Sequence, residues 1–420
     1  MNILHLVAGE KDGGATRGAY WLHLALRELG VQSTMLSSSV ARFEDDSVVS
    51  VAGTPRQRLK LAVSRRLGQL PLKLYPHRKG LIFSTGLGGA EVTKHPAFRR
   101  ADLIHLHWVT GLVKTSSLSS MNKPVVWTLR DMWPFTGGCH YALDCERYRE
   151  ACGRCPQLGS TAEHDLSRLL YRRKAHNLPE HLRVIGISRW LSGCAERSGV
   201  FRDHRVSTIS NNVDTDVFTP IDKSVARRAL GLDQDEKVIL VGARNVADFY
   251  KGFDLFLEAL PGLAGLNIRL LSFGRTSVDI PEYPGIAMTH LGFLSDALAL
   301  RLAYSAATVF VAPSRMEAFG KTIVEAMACG TPVVCFDATG PKDIVRHQRS
   351  GYLARAFSAS DLVQGVRWVL ERPAEAYEAL CAFARDEATS RFDARVIARA
   401  YLEVYEEMLG IGPVIERKAG

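Results

Sequence analysis

The chain has 420 residues, 46% of them hydrophobic and 23% charged, with 35 Gly and 17 Pro. This composition excludes a disordered, collagen-like or coiled-coil protein and is sufficient for a large core. The net charge of +9 is localised: residues 1–130 hold 18 Lys/Arg against 8 Asp/Glu, the remainder 35 against 36. No apolar stretch approaches the ~18 residues of a membrane span and no leader pattern opens the chain, so a cytoplasmic protein with reduced thiols is expected.

"NILHLVA" (2–8) reads as a buried strand that feeds a glycine loop, "GEKDGGATRGA", and then a helix carrying Tyr20, Trp21, Leu24, Leu26 and Leu29. Adjacent Gly13 and Gly14 either make a tight turn or let the backbone approach a phosphate or sugar at the helix start. Their spacing is not GxGxxG, which argues against a dinucleotide site. After the strand "QSTMLSSS" comes the densest charge, "PRQRLKLAVSRRLGQLPLKLYPHRKG" (55–80), with eight basic residues and no acid. Leu59, Val63, Leu67 and Leu70 recur there at helical spacing. Two readings stand side by side: a basic amphipathic helix for an anionic membrane surface or a phosphate-bearing substrate, or a solvated helix whose apolar stripe meets the core. No nucleic-acid-binding motif accompanies the charge, so a nucleic-acid partner is not expected.

"DLIHLHWV", "KPVVWTL" and "LRVIGIS" continue the strand series. Between the last two lies "CHYALDCERYREACGRC", with Cys139, Cys145, Cys152 and Cys155 spaced C-x5-C-x6-C-x2-C. Thiols at this density suit tetrahedral zinc, with His140 a substitute for one of them; a disulfide pair or four unconnected thiols are the alternatives. Cys194, Cys329, Cys335 and Cys381 are scattered and read as core residues.

The polar, turn-rich "STISNNVDTDVFTP" (207–220) reads as a connection between domains. A second series follows: "KVILVGA", "IRLLSFG", "IAMTHLG", "TVFVAPS" and "TPVVCFD". Two doubly wound α/β domains are therefore expected, with ligands at the carboxyl ends of the strands in a cleft between facing sheets. Arg244 and Lys251, on the loop after "KVILVGA", suit a diphosphate.

In "SRMEAFGKTIVEAMACGTPVV" (314–334) a helix starts after Gly320 and is closed by Gly330 and Pro332. Free N–H groups around Phe319, Gly320 and Lys321 attract an anion. Glu317 before the helix and Glu325 within it would repel phosphate, so they are aimed at hydroxyls. A nucleotide sugar has both features.

On these residues the chain resembles the GT-B retaining glycosyltransferases of family 4, bacterial polysaccharide-type enzymes of glycosyl transferase group 1. Gly13-Gly14, "DLIHLHW", "NNVDTDVF", Arg244 with Lys251, the acid-x7-acid pair, "GYLA" (351–354) and the closing helix "ARVIARAYLEVYEEML" carry the resemblance over nearly the whole chain. It implies Rossmann-like domains at 1–205 (acceptor side, with a Cys-rich insertion at 137–160) and 206–390 (donor side), and a helix at 391–420 that crosses back. It implies Glu317 on the donor sugar, Glu325 on the ribose, Arg244 and Lys251 on the diphosphate, and amides around Ala318, Phe319, Gly320, Lys321 and Thr322 on sugar and phosphate. The base would sit by Leu291 and Phe293 in "THLGFL".

Many relatives carry His-Asp where this chain has Arg130-Asp131. Arg130 stabilises a leaving phosphate with Asp131 orienting it, or the two form a structural pair. The resemblance implies transfer with retention and no covalent enzyme intermediate. No Asp-x-Asp metal site stands outside the connector, so donor binding without a divalent ion is expected. The expected reaction moves a hexose from a UDP- or GDP-sugar to a glycan acceptor, lipid-linked, in surface polysaccharide assembly at the inner membrane face. The rivals are a nucleotide-sugar epimerase, using Glu317 or His107 as base, and a non-catalytic nucleotide-sugar-binding protein.

Overall fold

The computed structural model describes residues 1–9, 13–38, 43–275 and 283–412; residues 10–12 of the first glycine loop lie outside them. The chain divides into two compact units, one formed by Met1–Ser210 with the described residues from Ile397 on, the other by Asn211–Val396. The first unit runs past the expected boundary at 205 because Val206–Thr208 pairs as an edge strand with Val184–Gly186.

The strands of the first unit are β1 (Asn2–Val7), β2 (Gln32–Ser37), β3 (Val48–Ser50), β4 (Leu103–Leu106), β5 (Val125–Leu129), β6 (Leu182–Gly186) and β7 (Val206–Thr208). They form one parallel sheet in the order β3-β2-β1-β4-β5-β6-β7. The second unit contributes β8 (Lys237–Asn245), β9 (Ile268–Arg275), β10 (Ile286–His290), β11 (Val309–Ala312), β12 (Val333–Phe336) and β13 (Gly351–Ala354), ordered β10-β9-β8-β11-β12-β13 and also all parallel. Every residue of β4, β5, β11 and β12 is buried. Helices cover both faces of such sheets, which is why these strands read as unbroken apolar runs rather than alternating ones. Both orders reverse beside the first strand of the unit, between β1 and β4 and between β8 and β11. These reversals are the topological switch points of doubly wound sheets, where a crevice opens at the strand ends.

The helices are α1 (Gly14–Glu28), α2 (Pro55–Gln69), α3 (Pro96–Arg100), α4 (Leu166–His176), α5 (Arg189–Glu196), α6 (Lys223–Ala229), α7 (Phe253–Ala259), α8 (Ala297–Ala306), α9 (Lys321–Ala328), α10 (Ala359–Leu370), α11 (Ala374–Phe392) and α12 (Ala394–Leu409). None is long and apolar enough to cross a membrane.

α2 resolves the choice left open by its sequence. A capping box of Thr54 and Gln57 with Pro55 in the first turn starts it, and the apolar stripe does not meet the core: Leu59, Val63 and Leu67 of the helix, and Leu70 and Leu74 of the turn that follows it, are 46–79% exposed. The opposite side packs inward through Leu61 and Gly68. A Cβ on Gly68 would come 2.5 Å from the Gly88 nitrogen, and one on Gly88 2.3 Å from the Ser64 carbonyl oxygen. Helix and loop thus meet backbone to backbone, a contact that requires glycine on both sides.

The segment between β5 and α4 has only one-turn helices, Trp133–Phe135 and Arg147–Arg149. It is held by a small separate core of Leu72, Phe83, Cys139, Cys155, Leu158, Leu166 and Leu170.

Candidate active site

In the second unit the switch point is built by two loops locked together. After β8, the turn Phe249–Lys251 ends at Gly252, whose φ is +61 and whose Cβ would lie 2.0 Å from the Pro313 carbonyl oxygen. The N–H groups of Arg315 and Met316 donate to the Tyr250 carbonyl (2.9 and 3.2 Å), and Arg315 forms two 2.5 Å bonds with the Asp254 carboxylate. Two loops fixed in this way bring Lys251 to Glu317, and the two form an ion pair. A carboxylate so neutralised no longer repels a phosphate beside it.

Glu317 is held from behind as well: its carbonyl accepts from Gly340 N (2.9 Å) and its N–H donates to Thr339 Oγ1 (3.3 Å). Gly320 has φ +116, and no side chain caps the first turn of α9. An end without a side-chain cap suits an anion. Thr322 and Lys251 line a recess of about 20 Å3 with Gly242, Ser314 and the ends of β8 and β11.

Arg244 is exposed and lies where the β8–β9 register shifts, between Gly242 and Asn245; a bulge of this kind re-aims a side chain out of the ladder. Leu291 and Phe293 are half-buried at the end of β10, with the Arg275 guanidinium 4.6 Å from the Phe293 ring centre. Ala318 and Phe319 are buried, so only their backbone is offered to a ligand. Glu325 is 1% exposed and accepts from the Tyr304 hydroxyl at 3.2 Å. Glu317, by contrast, keeps 18% of its side chain exposed.

The first unit carries a wider crevice, of about 510 Å3, at its own switch point, which sequence reasoning did not pick out as a site. Ala8 and Gly9 at the end of β1, Trp108 and Thr110 after β4, and Arg65 and Gln69 from α2 line it. Arg65 is anchored by Nε donating to the Gly111 carbonyl at 2.6 Å. Thr110 Oγ1 is buried and has no hydrogen-bond partner, which suits a ligand hydroxyl or phosphate. The available signal was Gly68 inside a helical pattern followed by the glycines of "STGLGG", the mark of a close backbone approach. Gly13 is the N-cap of α1, again without a side-chain cap, and a Cβ on Gly14 would meet nothing within 4 Å.

Arg130 and Asp131 turn to different neighbours. Arg130, 8% exposed, donates to His107 Nδ1 at 3.1 Å. Asp131 accepts from His140 Nδ1 (2.6 Å), Trp108 Nε1 (2.8 Å) and Trp133 N (2.9 Å). Arg130 belongs to a buried array in which His5, His105 and His107 have ligand atoms within 4.8 Å of one another, the one such group among the described residues.

That array is hydrogen-bonded rather than metal-ready. Arg130 donates to His107, so His107 Nε2–H donates to His5 Nδ1 (2.9 Å), while His105 bonds Tyr405 (2.6 Å) and Thr128 (2.7 Å). A metal would have to displace these bonds beside a guanidinium that burial lowers only to about 10. His107, enclosed and engaged through both nitrogens, is not placed to serve an epimerase as a base. His140 is likewise engaged, at Nδ1 by Asp131 and at Nε2 by Ser84 (2.9 Å), and is no substitute for a cysteine ligand.

Comparison with known proteins gives these sites a class. The chain is similar over its length to solved GT-B structures: sucrose-phosphate synthase from Thermosynechococcus elongatus (TM-score 0.67, 21% identity, 98% of this chain and 100% of that one) and Anabaena Alr3699/HepE in complex with UDP and glucose (0.66, 18%, 97% and 99%). That likeness shows the GT-B fold. Residues 222–387, most of the second unit, match the family model described as Glycosyl transferases group 1. Among sequence relatives, the D-inositol 3-phosphate glycosyltransferases of Gordonia bronchialis and Geodermatophilus obscurus are 27% and 29% identical. Those alignments span 77% and 73% of this chain and 69% and 67% of the relatives.

Proposed function

We propose that this chain is a retaining glycosyltransferase that moves a hexose from a UDP- or GDP-sugar to a glycan acceptor on a lipid phosphate, at the cytoplasmic face of an anionic membrane, in surface polysaccharide assembly. The observation that carries the donor reading is the Lys251–Glu317 ion pair at the uncapped start of α9. Arg244, Lys251 and the α9 amides take the diphosphate, and Glu317 accepts hydrogen bonds from the sugar hydroxyls. Leu291 and Phe293 flank the base; Glu325 supports the ribose side. The leaving phosphate takes the acceptor's proton on the face it departs from, and the protein contributes positioning and charge stabilisation without a divalent ion. Arg244 and Lys251, rather than the enclosed Arg130, stabilise that phosphate. The UDP and glucose of the HepE structure favour a UDP-hexose.

The acceptor reading rests on α2. Its apolar stripe is exposed, with Arg56, Lys60, Arg66 and Lys73 exposed beside it, while Arg65 and Gln69 turn into the first unit's crevice. One helix thereby offers a surface suited to anionic lipid and a guanidinium suited to the acceptor's phosphate. The name of the relatives, which denotes a phosphorylated polyol, supports a phosphate on the acceptor.

A thermal-shift screen of nucleotide sugars tests the donor, since binding to the folded state alone raises Tm. One or more UDP- or GDP-hexoses should stabilise the wild type and not Lys251→Ala; a screen with no hit overturns the reading. Neutralising Arg56, Arg58 and Arg66 together should weaken association with anionic vesicles, and unchanged association refutes the membrane surface.

A further inference from the structure

We propose that Cys139, Cys145, Cys152 and Cys155 form a structural zinc site that staples the irregular segment between β5 and α4. All four are free thiols and all four line one void of about 20 Å3, together with Phe83, Gly137, Ala142 and Tyr148. A space of that size admits a single small species, but water there would need two to four polar partners, and the walls offer sulfur and carbon. A soft, four-coordinate cation suits the same walls.

Cys152, Gly153 and Arg154 all have positive φ (56, 97 and 42), a costly run for two non-glycine residues that swings Cys152 and Cys155 to the same void. Gly153 is required in it, since a Cβ there would lie 2.3 Å from the Glu163 carbonyl oxygen. Burial raises the Cys152 and Cys155 thiols, and backbone N–H groups, from Gly137 to Cys152 and from Gln157 and Leu158 to Cys155, offset part of that rise. A neutral thiol accepts such bonds weakly and a thiolate strongly.

Four thiolates on a divalent ion leave two negative charges. Lys174, 1% exposed, is close enough to Cys139 and Cys152 to interact electrostatically with both, and its ammonium is otherwise held by the Trp133 carbonyl and the Trp133 ring. Burial pushes that ammonium down to about 7, and an anionic site beside it would favour the charged form.

A segment of this length without regular structure is uncommon unless something ties it down. The small core around Leu158 and Leu166 is a modest tie, and Cys139 and Cys155 belong to it. In a tetrahedral site with Zn–S of about 2.3 Å the sulfurs stand about 3.8 Å apart. The thiols stand further apart than that, outside the 4.8 Å grouping that the histidines meet. Occupancy therefore draws the sulfurs inward over the void and sends their protons to water.

The test is metal analysis of the purified full chain, with thiol alkylation before and after chelation. About one zinc per chain is expected, with the four thiols alkylated only after chelation and a lowered Tm once the metal is gone. Cobalt in place of zinc should show thiolate charge-transfer absorption. Cys145→Ser, at the least buried of the four, should fold and weaken metal retention, whereas Cys381→Ser should not affect it. Wild-type protein that holds no zinc, takes up none when zinc is supplied, and has all four thiols open to alkylation overturns the site. Zinc bound with those thiols still reactive overturns it equally.

Discussion

The two switch points are built on the same strand order yet hold different chemistry. In the second unit the opposing charges, Lys251 and Glu317, are already joined. In the first the crevice is wide, about 510 Å3, with an anchored guanidinium and a buried hydroxyl lacking a partner. A site whose charges are set in advance loses little free energy to reorganisation when a fixed diphosphate arrives. A roomy site with one cation selects by shape and tolerates acceptors of varied size. Under the proposed function, this contrast predicts stringency toward the donor in the second unit and adaptability toward the acceptor in the first.

The most damaging substitution should be Lys251→Ala. It removes phosphate stabilisation and leaves Glu317 unpaired, so transfer should fall by about 10²- to 10³-fold, the usual cost of losing one preorganised electrostatic group. Initial rates at saturating acceptor read this out, with acceptor KM little changed.

Acid should separate the units next. His5, His105 and His107 are held well below the usual histidine value by burial, then by neighbouring imidazoles and Arg130, and burial pulls His23 down to about 4. The unfolded chain takes up these protons near pH 6.5 and the folded one does not. The stability these groups contribute is therefore present above that pH and lost as pH falls from 6.5 toward 4. His23 alone accounts for about 3 kcal/mol. The histidines of the second unit, His290 and His347, are exposed. Thermal scans between pH 7 and 4.5 should show the first unit melting earlier while the second is nearly unmoved; parallel loss in both would remove the histidine array as the cause.

Arg65→Ala should raise acceptor KM by roughly 10- to 100-fold, the worth of a charged hydrogen bond, and leave donor KM unchanged. A change in donor KM instead would break the division of labour. Gly320→Ala forces a side chain at φ +116 and sets a Cβ 2.8 Å from Ile323 Cδ1. It should cost about 1–2 kcal/mol, confined to the second unit's melting transition. Leu67→Ser should change stability by less than about 0.5 kcal/mol, because that side chain is 59% exposed, yet reduce vesicle association.

Much of this was legible before any coordinates. All ten apolar runs are strands, because parallel strands buried on both faces cannot hide among polar residues, and α9 begins and ends at its glycine punctuation. The three-residue edge strands β3 and β7 carry too little pattern to be seen. Glu317 and Lys251 each announced a ligand, but their pairing depends on Gly252 pressing against Pro313, a contact between loops far apart in the chain. The first unit's crevice draws its walls from five separate segments, so no local motif encodes it. The stripe on α2 was visible, but which way it faced was not: amphipathic spacing defines two faces, and the glycine contact at Gly68 and Gly88 decides which one turns inward.

The final helix has a further effect, on how the chain is made. Tyr405 bonds His105 (2.6 Å) and Tyr401 bonds Thr128 (2.8 Å), partners about three hundred residues earlier. During synthesis the first unit leaves the ribosome first but cannot close its central polar array until α12 has been translated. The second unit, made entirely from Asn211–Val396, can finish while the first still waits. The unit encoded first is therefore the last to mature, and a chain that stalls before residue 397 would expose its open histidine core to chaperones and proteases.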